Sequence, residues 1–200
     1  MTVSKIARRA LIGALAALSA APALAAGKPR VAIETDKGTI IVEIEDKKAP
    51  ITAKNFLYYV DKRRFDGGQF FRANRAKGVK GAGSIQGQPK PYSRRAPPIA
   101  HESTRQTGLK HTAGAISMGR DAPGSATADF FICASAQPYL DAKPGKSDAA
   151  QGYAVFGYVV SGMDVVKKIL AGRTDGATNV PSMKGQILNP AVKILSMKRV

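Results

Sequence analysis

Apolar and polar residues alternate over Val31–Thr35 and again over Ile40–Glu45, on either side of Asp36, Lys37 and Gly38. A period of two with a glycine at the break reads as a β-hairpin, the glycine accepting the positive φ of a tight turn. The period then changes. Pro50 and Thr52 open a stretch in which Ala53, Phe56, Tyr59 and Val60 share one face at helical spacing. Lys62, Arg63 and Arg64 are placed in its last turn, where cations suit the carbonyl end of a helix. From Phe65 to Ile132 short extended runs are broken by glycine and proline, as at 78–83 and 88–98, which predicts a sandwich or a closed barrel. Strands return at Ala154–Val160 and Ala191–Arg199, and Met163, Val166, Ile169 and Leu170 between them mark a second amphipathic helix. Periodicity alone supports two helices packed on a mostly antiparallel sheet.

The first residues follow a different logic. Lys5, Arg8 and Arg9 precede an uncharged run from Ala10 to Ala21, and Ala23, Leu24 and Ala25 offer a small-x-small cleavage site. That is the pattern of a secretory signal peptide over residues 1–25, leaving 26–200 as one domain. The apolar run is shorter than the roughly 20 residues that span a bilayer, so no stable membrane span is expected. Of the net charge of +17, the leader carries three cations and no acid, so +14 remains on residues 26–200. A field of that sign attracts acidic partners. Behind an export signal the candidates are anionic envelope surfaces or unfolded acidic clients, against a basic surface that serves solubility alone, and nucleic acid is not expected. Cys133 is the single cysteine, so no intramolecular disulfide forms and the core must carry stability. Its apolar surroundings read as those of a small buried hydrophobe.

Several fragments occur in a telling order: Phe70 to Arg72 (FFR), Ile85 to Gly87 (IQG), Gly114 to Gly119 (GAISMG), Asp129 to Cys133 (DFFIC), Tyr139 to Asp141 (YLD), Tyr153 to Gly157 (YAVFG) and Gly162 to Asp164 (GMD). Together they resemble the signature set of cyclophilin-type peptidyl-prolyl isomerases, bacterial periplasmic branch, from about Val31 to the last residues. The resemblance implies a mainly β fold, a closed eight-stranded antiparallel barrel capped by two α-helices. It also implies an exported, monomeric isomerase of the periplasm that needs no cofactor or metal and accepts flexible proline-containing polypeptides of unfolded envelope proteins.

By resemblance, Arg72 is the catalytic arginine and Gln86 the glutamine that orients it. Phe131 is the floor that receives the proline ring, Leu140 a wall, and Tyr153 a further lining residue. Gly119 and Arg120 match the segment that pairs with the substrate backbone, small Gly119 letting a peptide lie close. Phe71 replaces the family's histidine, and Tyr139 its tryptophan, which predicts weak binding of cyclosporin-like cyclic peptides. Gly83, Ser84 and Asp129 also depart, standing for phenylalanine, methionine and glutamine. The first two remove apolar surface. Asp129, near Arg72, either pairs with the guanidinium and competes with the substrate nitrogen or holds Arg72 in position; the first alternative predicts that Asp129→Gln raises turnover. The spacing of Arg72 and Gln86 exceeds the family's, and the excess would place Arg75, Lys77 and Lys80 on a basic loop beside the groove.

The chemistry explains the residue types. An X–Pro amide turns slowly because conjugation stiffens its C–N bond, with a barrier of ~18–20 kcal/mol. In the twisted state the nitrogen lone pair leaves conjugation and accepts a hydrogen bond. A fixed guanidinium aimed at it favours that state over both planar isomers. Other motifs fail: Gly145, Lys146 and Ser147 end a phosphate loop whose first glycine would be Leu140. His101 and His111 are too few for zinc, and no nucleophile elbow supports a serine–histidine–aspartate triad. Two non-enzymatic readings remain: a catalytically weak binding protein for unfolded clients on the same scaffold, and a binder of anionic envelope polymers.

Overall fold

The computed structural model describes residues 27–91 and 95–200, so the leader expected over 1–25 lies outside the described residues. Eight strands form the barrel: β1 (Arg30–Thr35), β2 (Gly38–Ile44), β3 (Gln69–Arg75), β4 (Gly83–Gln88), β5 (Ala115–Met118), β6 (Phe130–Cys133), β7 (Val155–Ser161) and β8 (Ile187–Arg199). They close in the order β1-β2-β7-β5-β6-β4-β3-β8, every pair antiparallel. The predicted hairpin is β1–β2, and Gly38 takes φ 132° where a side chain would strike Val165.

Helices α1 (Pro50–Asp61) and α3 (Met163–Leu170) close opposite ends, with a short α2 (Thr104–Thr107) that periodicity did not reveal. Beneath α1, Phe56 packs on Phe65, Phe130 and Phe156 with ring centroids 4.9–5.8 Å apart. At the other end α3 sits over the hairpin tip, and the Arg75 guanidinium donates to its last carbonyl, Leu170 O (2.7 Å), and to Gly172 O just beyond it. The cations expected in the last turn of α1 are not there. The helix stops at Asp61, and Lys62, Arg63 and Arg64 form the following turn, Arg63 in the left-handed region at φ 51°. The first turn of α1 is capped from afar. Glu102 accepts from the backbone N–H groups of Ile51 (3.1 Å) and Thr52 (2.7 Å), supplying the acid that the helix's own sequence lacks. Cys133 is buried, which pushes its thiol up to about 12, in line with an inert packing role. Among the described residues no helix is long and apolar enough to cross a membrane.

Candidate active site

The site is built on the outer face of four neighbouring strands. Arg72 on β3 is paired with Gln86 on β4, Gln86 with Phe131 on β6, and Phe131 with Ser117 on β5. One register row therefore carries arginine, glutamine and phenylalanine side by side. The adjacent row faces inward: Phe70, Gly87, Phe130 and Met118. Phe130 fills the barrel there so closely that a Cβ on Gly87 would lie 2.6 Å from its ring, which explains the glycine. A bulge between Phe70 and Arg72 breaks the alternation on β3. Both Phe71 and Arg72 consequently line the groove, a re-aiming that bulges produce.

That groove has a volume of about 830 Å³. It brings together Arg72, Gln86, Phe71, Gly119, Arg120, Asp129, Phe131, Tyr139, Leu140 and Tyr153, so the expected site residues share one surface. Arg72 is held on two sides. Its Nη1 donates to Gln86 Oε1 (3.1 Å), as expected, while Nε and Nη2 both donate to Gln186 Oε1 (2.8 and 2.6 Å), which no sequence argument had found. N–H bonds at both terminal nitrogens are left for a ligand. Burial draws the guanidinium below its ordinary value, with Tyr153 opposing, yet an arginine keeps its charge at neutral pH.

Phe131 is 8% exposed. Tyr153 meets its ring edge-on (5.5 Å) and His111 stacks parallel to it (5.9 Å). The imidazole is itself fixed, its Nδ1 2.7 Å from Asp141 Oδ1 and its Nε2 3.1 Å from Ser117 Oγ. Nδ1–H donates to the carboxylate, leaving Nε2 to accept from the hydroxyl. Serine, histidine and aspartate do meet here, but Ser117 is fully buried and His111 1% exposed, so the trio braces the pocket floor and offers no nucleophile. His101 lies elsewhere, against Gln151 O.

Two expectations need correction, one on Asp129 and one on the loop 76–82. Asp129 pairs with Arg95 and not with Arg72: its Oδ1 lies 2.5 Å from Arg95 Nη2, and Arg95 also reaches Thr127 Oγ1 (3.0 Å). Burial raises the Asp129 carboxyl above its ordinary value, and Arg95 works against the rise. Arg120 lines the groove beside Gly119; its side chain donates to the carbonyls of Gly152, Asp148 and Asp121, and its guanidinium covers the Tyr153 ring at 4.9 Å. It ties the 141–152 loop to the wall. Second, the loop 76–82 does not flank the groove. It lies over the end of α3, where Arg75 and Lys80 share a separate hollow with Lys167 and Leu170.

The other departures are placed as follows. Gly83 has φ 136° and passes so near Asn74 O that any side chain would collide, while buried Gln137 donates to its carbonyl (2.9 Å). A phenylalanine wall has no room at that point. Ser84 lines the groove, and Tyr139 is 61% exposed with its hydroxyl donated to Gln137 Oε1 (2.6 Å).

Fold and site define a class: a closed antiparallel β-barrel whose outer wall holds a clamped arginine beside an aromatic floor. The profile of the family described as cyclophilin type peptidyl-prolyl cis-trans isomerase/CLD matches residues 30–198. A peptidyl-prolyl cis-trans isomerase of Acinetobacter baylyi is 36% identical over 84% of this chain and 84% of its own length. Peptidyl-prolyl cis-trans isomerase A of Dickeya dadantii is 35% identical over 90% of this chain and 93% of that protein. Peptidyl-prolyl cis-trans isomerase B of Escherichia coli is 37% identical over 76% and 92%. The chain belongs to the cyclophilin-type peptidyl-prolyl cis-trans isomerases. Its fold also matches a cyclophilin type isomerase of Cryptosporidium parvum, solved in the presence of the dipeptide Ala-Pro, with a TM-score of 0.63 at 22% identity, covering 84% of this chain and 97% of that one.

Proposed function

We propose that this isomerase is exported and speeds X–Pro rotation in unfolded envelope proteins, with Arg72 donating to the twisted prolyl nitrogen. The observation that carries the reading is the guanidinium clamped by Gln86 and Gln186 beside Phe131, in one groove. The substrate lies extended along the wall, its proline ring on Phe131 between Leu140 and Tyr153. The arginine charge is in place before the amide twists, so the twisted state gains without reorganisation. The charged start, apolar run and small-residue site over 1–25 support export to the periplasm, and an intact mass from envelope extracts that still includes those residues would refute it.

A protease-coupled proline-peptide assay tests the mechanism. Arg72→Ala should lower kcat by about 10²–10³, the usual loss when one preorganised donor is removed. Equal rates for wild type and variant would overturn it. Ser84 and Gln88 on the groove wall favour a second reading, a weak catalyst that mainly holds clients. Undiminished client holding by Arg72→Ala, with little acceleration by the wild type, would select that reading.

A further inference from the structure

We infer that Gln186 is a positioning residue for this reaction: its side-chain oxygen fixes the guanidinium plane of Arg72 along an edge that Gln86 does not reach. Gln86 holds one terminal nitrogen through one bond, about which the long side chain can still swing. Gln186 Oε1 takes the Nε and Nη2 donors together, at 2.8 and 2.6 Å, so that rotation at the end of the chain breaks both bonds at once. Gln186 is in turn immobilised. Its Nε2 donates to Ser182 O (3.0 Å), its backbone N–H donates to Met183 O (3.0 Å), and its carbonyl accepts from Ala73 N (2.9 Å), the residue after Arg72. The pairing of Arg72 with Ile187 at the start of β8 sets this neighbourhood. An arginine ordered during folding is not ordered again at each turnover, which is where preorganisation gains rate.

The inference rests on Arg72 acting at the twisted amide, and the variants separate the two ideas. Gln186→Met keeps length and bulk but has no comparable acceptor; Gln186→Glu restores an acceptor at the same reach. Kinetic constants are measured with a proline peptide, alongside thermal midpoints and the 15N side-chain Nε–H signal of Arg72. Gln186→Met should lower kcat about tenfold, with KM and the thermal midpoint nearly unchanged and the Nε–H exchanging faster with water. Gln186→Glu should recover the Nε–H protection and return kcat to within about threefold of wild type. A wild-type kcat in Gln186→Met overturns the inference, as does a Gln186→Glu variant no better than Gln186→Met, since segment shape alone would then matter. If Arg72→Ala is as fast as wild type, the mechanism itself falls and this role with it, even where the Nε–H signal still shows the clamp.

Discussion

Asp129→Gln distinguishes two accounts of the carboxylate that faces the groove. Were Asp129 bonded to Arg72, as the sequence suggested, its removal would free a charge-assisted hydrogen bond of ~1.5–3 kcal/mol. At 1.36 kcal/mol per factor of ten, that is an increase of roughly ten- to a hundredfold in rate. The structure gives the carboxylate to Arg95 at 2.5 Å and gives Arg72 to two glutamines. Turnover should therefore stay within about threefold of wild type. Stability should fall instead, because Arg95, 12% exposed, loses its anionic partner. The loss is small, since burial already makes the ionised Asp129 costly and glutamine keeps an acceptor oxygen. About 1 kcal/mol is expected, a fall of roughly 2–4 °C in the thermal midpoint for a chain of this size. Parallel melting curves and proline-peptide kinetics decide the matter. A tenfold or greater gain in kcat/KM with an unchanged midpoint would show that Asp129 draws on Arg72 after all.

Burial holds His111 below its ordinary 6.5, with the Asp141 carboxylate acting the other way and Lys110 adding to the fall. The unfolded chain then binds the proton first, so this group's contribution is present above about pH 6.5 and is lost as pH falls toward the folded value. Urea midpoints at pH 7.5 and 5.5 should differ more in wild type than in His111→Gln, and an equal or larger difference in the variant would refute the assignment. Phe131→Ala should cost about 3 kcal/mol, the low end for a buried ring because one face opens onto the groove, and should raise KM. Phe131→Leu should cost about 1 kcal/mol, and urea denaturation showing Phe131→Ala as stable as wild type would contradict the packing seen against His111 and Tyr153.

The hairpin, α1 and α3 were legible because their apolar positions repeat at two or at three to four residues, and burial on one face enforces such repeats. Arg72, Gln86 and Phe131 were legible through the order of short motifs. What escaped depends on contacts that no local period records. The bulge at Phe70–Arg72 turns two successive side chains outward. Glu102 caps α1 through Thr52, fifty residues earlier in the chain. The first half of β8 includes Asn189 and Pro190, so the sequence pattern of a strand starts only at Ala191, and Gln186, which meets Arg72, precedes any local period. The motif set offers Asp129 only Arg72 as a partner on the site, whereas Arg95 reaches it from a segment with no pattern at all.

The register row explains how a barrel wall can be altered for catalysis without losing its fold. Inward residues of β3, β4 and β6 are set by packing: Phe70, Gly87 and Phe130 fit one another, and little else fits there. Their outward neighbours Arg72 and Gln86 bear no such load, so their identity is free to answer to chemistry. Phe131 is the exception: in the role proposed for it, a ring that receives another ring must not tilt. It is therefore packed from behind by an imidazole that Asp141 and Ser117 hold still. The buried trio brings no reactivity of its own. Its effect is that the apolar floor and the clamped cation keep a fixed separation, and under the proposed mechanism a twisted amide meets both at once only if that separation does not drift.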